Sequence, residues 1–282
     1  MRITLISNRG GWHTEELKKE ALKRGIAFDI AKITDLDNPE KKIDRMGDVV
    51  IWFSSQLKTL DRKSTFFHLL ANKKTVMNMD CAKYPFLTRK IFQQKALSRV
   101  PAVKGIETFV FRGRKELLSA IGKKLKFPII QKPNVGSQGD GISILRSKKD
   151  IEKTKVDISK HVYQNFIPND GDFRIFVVGG KALGAIKRTA QPGGYLNNVS
   201  KGGTAVMVKD PGVNKVLRKI ALTAASAFDL AICGVDVIYD AKKKEYLFME
   251  LNTNPEWKGF QGATGINVSR HVIWNKILVN VF

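Results

Sequence analysis

Between Ile3 and Met79 the chain repeats one pattern, a short apolar run followed by a polar stretch with helical spacing. Ile3 to Ser7, Ala27 to Ile33, Asp48 to Phe53 and Thr75 to Met79 read as strands. Leu17, Ala21 and Leu22 keep helical intervals until Gly25 stops them, and Ser64 to Ala71 reads as a further helix. Thr14 is the expected N-cap of the first helix, with Glu15 and Glu16 in its first turn. Strands that alternate with helices argue for a small parallel sheet covered by helices. Such sheets take ligands beyond the carboxyl ends of their strands. Trp12 and His13 follow the first strand, so they are candidates for touching a substrate.

From Lys83 the pattern changes. Lys83 to Ser98 reads as a helical connection ending before Pro101. Phe109 to Phe111, a helix from Lys115 to Leu125, Ile129 to Lys132 and Ile142 to Leu145 suggest strands with a loop between them. Then come Val162 to Ile167, strands Phe173 to Val178 and Lys181 to Arg188, and a long helix from Asn214 to Asp229. A hairpin comes next, Val235 to Tyr239 and Glu245 to Leu251. Length predicts about two domains, and no repeat or low-complexity linker separates the parts.

Composition narrows the function classes. Cys81 and Cys233 stand alone, which excludes a disulfide framework and a cysteine-built zinc site and fits a reducing compartment. No apolar run approaches the roughly 18 residues of a membrane span. The N-terminus runs into a strand pattern without signal-peptide architecture, so the expected location is cytoplasmic. Forty-nine Lys plus Arg against 26 Asp plus Glu leave a net charge of +23. That excess either attracts a polyanion or decorates a solvated surface. The basic residues are dispersed, with no arginine tail, zinc-finger spacing or aromatic-basic signature of an RNA-binding sheet. His68, His161 and His271 have no metal-ligand spacing.

Two segments carry chemistry. In Gln131 to Ile142, glycines at 136, 139 and 141 let backbone N–H groups turn toward an anion, and Lys132 adds a point charge. The same segment also reads as an ordinary glycine-rich turn, and no Gly-Lys-Ser/Thr comes after it to make it a P-loop. The second segment is the C-terminal hairpin. Glu250 and Asn252 are two apart on one strand and share a face. With a turn centred near Lys243, Asp236 falls opposite Glu250, and two facing carboxylates repel unless a cation lies between them. An Asp/Glu/Asn oxygen set suits magnesium, which keeps waters and phosphates among its ligands. The alternative puts Asp236 in a hydrogen-bonded strand position and Glu250 in solvent.

Four stretches occur in order: Phe127 to Pro133, the glycine loop, Gly171 to Gly180 and Met249 to Pro255. Together with Gly262 to Val268 they resemble the ATP-grasp carboxylate–amine ligases of the RimK/LysX type, and Pro255 to Gly259 is most similar to the LysX branch. The resemblance implies an ATP-grasp fold: an N-terminal pre-ATP-grasp α/β domain (1–90), a central α+β lid (91–164) and a C-terminal subdomain with the magnesium site (165–282). It implies a cytoplasmic enzyme that activates a carboxylate with ATP as an acyl phosphate and joins it to the amine of an amino acid. An acidic peptide or a carrier protein is the expected acceptor.

By the same resemblance, Lys132 contacts the nucleotide phosphates beneath the backbone of Gly136, Ser137 and Gly139. Gln164, Asn165, Phe166 and Ile167 receive the adenine, and Asp172 holds the ribose. Asp236, Glu250 and Asn252 bind two magnesium ions, for which manganese is a substitute. Arg174, Arg188 and Lys201 are the implied phosphate or acyl-phosphate contacts, although either arginine also reads as a surface residue. Asn197 and Asn198 lie in a segment where the family places an arginine at the position of Leu196. The first nucleotide lysine matches Lys83, with Lys90 the alternative. Homo-oligomers are common among the similar enzymes. The competing readings are a basic nucleic-acid-binding module and a scaffold that keeps the fold without the chemistry.

Overall fold

The computed structural model describes residues 1–7, 10–32, 38–53, 63–78, 86–136, 139–191, 197 and 202–274. Its N-terminal part is a four-stranded parallel sheet in the order β2-β1-β3-β4, made by β1 (Arg2–Ile6), β2 (Ala27–Ala31), β3 (Val49–Trp52) and β4 (Thr75–Met77). Helices α1 (Trp12–Leu22), α2 (Pro39–Asp44) and α3 (Lys63–Lys73) connect the strands. Strand alternation divides the core. Ile3, Leu5, Val49 and Ile51 face Leu17 and Ala21 of α1, whereas Ile6, Val50 and Trp52 face Phe66, Phe67 and Leu70 of α3. Helix α1 is capped by Gly11, not Thr14; Thr14 is buried in the first turn and Thr14 Oγ1 finds no partner among the described residues.

The next sheet is three-stranded and antiparallel, in the order β6-β5-β7: β5 (Ile129–Pro133), β6 (Ser143–Leu145) and β7 (His161–Asn165). Ile129 and Tyr163 turn inward onto Phe111, Leu117 and Leu125. Two expectations shrink here. Phe109 makes only a single bridge to Tyr163, and the 115–125 helix is a six-residue helix, Arg114–Ser119. The backbone turns soon afterwards at Gly122, whose φ of 83° belongs to glycine.

The last sheet has the order β10-β9-β8-β11-β12 and is antiparallel throughout: β8 (Asp172–Val178), β9 (Lys181–Thr189), β10 (Thr204–Met207), β11 (Ile232–Asp240) and β12 (Glu245–Asn252). One face is apolar. Ile175, Val177, Val235, Val237, Phe248 and Leu251 pack with Leu217, Ile220, Ala221 and Ala224 of the Pro211–Ala227 helix. That helix begins earlier than periodicity suggests, because Asp210 caps it by accepting from Val213 N–H and Pro211 needs no N–H there. The other face carries Asp172, Arg174, Asp236, Glu250 and Asn252, which cross-strand pairing lays side by side.

The N-terminal sheet and the C-terminal end share one core. Trp257, Phe260, Val268, Val272 and Ile273 pack against Ile3, Leu5, Val49 and Ile51. Polar clamps tie the same parts together: Asn78 exchanges side-chain hydrogen bonds with the N–H and C=O of Ile232, and Asn254 Nδ2 donates to Phe53 O. No helix among the described residues is long and apolar enough to cross a membrane.

Candidate functional site

A cleft of about 940 Å³, its open mouth included, lies between the β6-β5-β7 sheet and the polar face of the C-terminal sheet. One wall is built by alternation on β5. Ile130 and Lys132 face the cleft while Ile129 belongs to the apolar core on the other side of the sheet, and Gln164 pairs with Ile130 across the strands. Gly136 and Gly139 of the glycine loop cover this wall, and Gln164, Asn165, Phe166 and Ile167 line the adjoining edge. Gly141 (φ 73°) could not carry a side chain, since a Cβ there would lie 2.7 Å from Pro133 Cγ.

The opposite wall is the polar face of β8, β9, β11 and β12. Asp236 pairs directly with Glu250 in the strand register. The register shifts immediately afterwards, so Val237 pairs with Phe248 and Met249 is the extra residue of a bulge. This bulge is decisive. Without it Phe248 and Glu250 would share a face; with it Phe248 enters the core while Glu250 stays in the cleft.

Asp236 is 3% exposed and heavily engaged. Arg174 grips it with two hydrogen bonds of 2.6 Å, Nε to Oδ1 and Nη2 to Oδ2. Arg188 Nη2 lies 3.1 Å from Oδ2, and Asn252 Nδ2 donates to the same oxygen at 3.4 Å. Burial opposes ionisation of Asp236, but the two guanidinium groups override it and hold its pKa down to about 2. Arg188 also donates to Asp172 Oδ1 at 2.6 Å; burial raises the pKa of that carboxyl while Arg188 counters it. Both arginines are therefore inward residues, not surface ones.

Among the described residues two lysines reach the cleft. Lys90 Nζ lies 3.3 Å from Glu250 Oε2 and donates to Gly136 O at 3.0 Å. Its helix, Lys90–Leu97, starts beneath the glycine loop: Lys90 N–H donates to Asn134 O, and Ile91 N–H donates to Asn134 Oδ1. Lys132 is 6% exposed, and burial pulls its pKa down to about 8 against the attraction of Glu250.

The structure thus brings Lys132, Gly136, Gly139, Gln164, Asn165, Phe166, Ile167, Asp172, Arg188, Asn197, Asp236 and Glu250 to one cleft. Arg174 and Asn252 join it through Asp236. Lys83, Ser137, Asn198 and Lys201 lie outside the described residues, as does Cys81. His13 and Trp12 are elsewhere, at the carboxyl edge of β1. The His13 ring stands edge-on to Trp257 with a centroid separation of 5.3 Å and its Nε2 finds no partner among the described residues; burial lowers its pKa while Glu256 opposes the shift.

The sequence reading missed Ile106, Ile238 and Met249, which give the cleft an apolar lining, and Asn169, whose Oδ1 accepts from Asn197 Nδ2. The three apolar residues carry no local signal distinguishing a ligand contact from core. Asn169-Asp170-Gly171 is a turn signature that could have flagged Asn169.

As for a cation, Glu250, Asn252 and Asp236 offer oxygen donors of the hard type magnesium takes. Asp236 Oδ2 is contacted by three donors, whereas Oδ1 accepts from Arg174 Nε alone among the described residues. The donor set fits, with Glu250 its least encumbered carboxylate.

Against known proteins, the model of the RimK-like ATP-grasp domain matches residues 88–275. A Stenotrophomonas maltophilia protein named probable alpha-L-glutamate ligase is 32% identical over 165 residues, which are 56% of this chain and 53% of that protein. The match to that relative therefore spans about half of its length. A protein of the same name from Cellvibrio japonicus is 27% identical over 296 residues, covering 97% of this chain and 94% of its own. The solved structure of ATP-grasp ligase PsnB complexed with minimal precursor, Mg and ADP superposes with a TM-score of 0.69 at 14% identity, covering 99% of this chain and 97% of that one. D-alanine–D-alanine ligase from Bacillus anthracis gives a TM-score of 0.71, also at 14% identity, over 99% and 96%. At such identities these structures establish the ATP-grasp fold and nothing finer.

Proposed function

Since the chain belongs to the RimK-like ATP-grasp family, we propose that it is an ATP-dependent ligase joining a carboxylate to the amine of an amino acid. The observation that carries this reading is a single cleft in which a glycine loop and two lysines face the Asp236–Glu250 pair. A nucleic-acid module or a silent scaffold has no need of that constellation.

In this reading Lys132 and Lys90 contact the nucleotide phosphates with the backbone of Gly136, Ser137 and Gly139. Lys90 is preferred to Lys83 as the first nucleotide lysine because its ammonium sits beside Glu250 and Gly136. Gln164 to Ile167 receive the adenine between Ile106, Ile238 and Met249, and Asp172 holds the ribose. Asp236, Glu250 and Asn252 hold magnesium, which would offset charge on the phosphates. Arg174, Arg188 and Lys201 stabilise the transferring phosphoryl group, so catalysis is mostly positioning and electrostatics. An acceptor carboxylate oxygen attacks the γ-phosphorus of ATP and ADP leaves; the amine then attacks the acyl carbon and phosphate leaves. Closure of the 134–141 loop would keep water from the acyl phosphate. Trp12 and His13 are assigned to the acceptor side.

L-Glutamate is the first amino acid to test, because the relatives are named for it. The charge of +23 points to an acceptor with several carboxylates, such as an acidic peptide, a carrier protein or a growing glutamate tail. The test is ADP release across a panel of amino acids and acidic peptides, with mass spectrometry of the products. We expect an adduct with an acidic acceptor, and no ADP release with any pair would remove the ligase reading. The acceptor class has its own test. Steering weakens as the Debye length shrinks from about 10 Å at 0.1 M salt to about 3 Å at 1 M. At saturating ATP and magnesium, kcat/KM for the acceptor should therefore fall steeply with salt while kcat stays level. A flat profile makes the positive surface irrelevant to recognition.

A further inference from the structure

Strand β12 is the outermost strand of its sheet among the described residues, so its outward N–H and C=O groups have no neighbouring strand there. Over the residues that matter most, two side chains of the Lys90–Leu97 helix stand where that strand would be. Gln93 is 3% exposed. Its Nε2 donates to Leu251 O at 2.9 Å and to Leu87 O at 2.6 Å, and its Oε1 accepts from Leu251 N–H at 2.9 Å. Gln94 Nε2 donates to Phe248 O at 3.1 Å and to Met249 O at 2.7 Å, the two carbonyls of the bulge. Gly105 makes room for this: a Cβ there would clash with Gln94 Oε1. On the far side of the contact, Phe248 N–H donates to Lys104 O.

Leu251 sits between Glu250 and Asn252 and points into the core, so its neighbours point into the cleft. Fixing both polar groups of Leu251 fixes the peptide planes on either side, and with them the directions in which Glu250 and Asn252 leave the strand. Lys90 lies three residues before Gln93, one turn away on the same helix. We propose that Gln93, supported by Gln94, is a positioning residue that acts through the Leu251 backbone and the bulge to aim Glu250 and Asn252 at a bound cation. The helix thereby couples the lysine at the glycine loop to the carboxylate on the strand. This inference rests on the reading of Glu250 given above.

Gln93→Met keeps the volume and removes all three hydrogen bonds. The measurements are magnesium half-saturation for ADP binding by calorimetry, ADP affinity without magnesium, and melting temperature. A merely structural tie would move only the last. We expect magnesium half-saturation to rise at least about five-fold in Gln93→Met, with magnesium-free ADP affinity within about two-fold of wild type. Glu250→Gln should raise it as well, and the double variant should be less than additive, because both changes disturb one constellation. Wild-type magnesium dependence in Gln93→Met, or effects that multiply in the double variant, overturn the proposal. If Gln93→Met does not fold, Gln94→Met, which frees only the bulge carbonyls, is held to the same two outcomes. A silent Glu250→Gln removes the metal reading and the clamp with it; an impaired Glu250→Gln beside a silent Gln93→Met removes the clamp alone.

Discussion

Glu250→Gln should lower turnover on the order of 100-fold while the melting temperature stays within a few degrees of wild type, and Asp236→Asn should lower both. The two carboxylates face each other, yet their surroundings are opposite. Glu250 reaches into the cleft with one lysine contact, and the amide of the variant can still accept from Lys90. Asp236 is buried under Arg174 and Arg188, and both guanidinium groups lean on its charge. Removing one partner of a buried pair leaves the other desolvated and uncompensated, at a cost of about 3–5 kcal/mol. For a chain of this size that corresponds to a melting-temperature drop on the order of 10 °C. Thermal melts and steady-state kinetics on the two purified variants separate the cases. Equal stability in both would mean that Asp236 does not anchor the arginines. Wild-type turnover in Glu250→Gln at limiting magnesium would sink its assignment as a cation ligand. Turnover in the double variant should fall by less than the product of the single effects.

The register behind that contrast was visible in the sequence. A turn near Lys243 pairs 236 with 250, and the strands do pair there. The bulge at Met249 was not visible, because it is held by Gln94 and accommodated by Gly105, more than a hundred residues earlier in the chain. Local pattern cannot report a contact of that range. The same limit explains Lys83 and Lys90. The preceding Asp80-Cys81-Ala82 favoured the former, which lies outside the described residues, while only the folded loop shows that Asn134 receives the start of the Lys90–Leu97 helix and delivers Lys90 to Gly136. Parallel strands and polar alternation were legible because each is written within a few neighbouring residues. Thr14 misled for the complementary reason. It has cap chemistry, but the helix starts at Trp12 with Gly11 at the cap, which places Thr14 in its first turn. The cleft's apolar lining stayed hidden since Ile106, Ile238 and Met249 look like any core residue until a cavity is seen beside them.

Nucleotide binding should draw in protons at alkaline pH, through Lys132. Burial holds its pKa at about 8, well below the ordinary lysine value, so near pH 8 about half of the ligand-free molecules carry a neutral amine there. A phosphate brought against that amine favours the ammonium and raises its pKa. Binding at pH 8 should therefore take up roughly half a proton, and at pH 6.5 almost none from this group. Affinity for ADP should fall as pH rises above 8, by up to about ten-fold per unit, until the pKa of the complex is reached. Stability of the ligand-free chain runs the other way. Between pH 8 and the ordinary lysine range the unfolded state keeps a proton that the folded state has given up, so raising the pH through this window favours folding at this site. Lys132→Met has no such proton. Its melting temperature should exceed that of wild type at pH 7, and the gap should close toward pH 10. Calorimetry of ADP binding in two buffers of different ionisation enthalpy reads the uptake directly. Equal apparent enthalpies at pH 8, or the same uptake in Lys132→Met, would show that Lys132 is not the group that takes up the proton on binding.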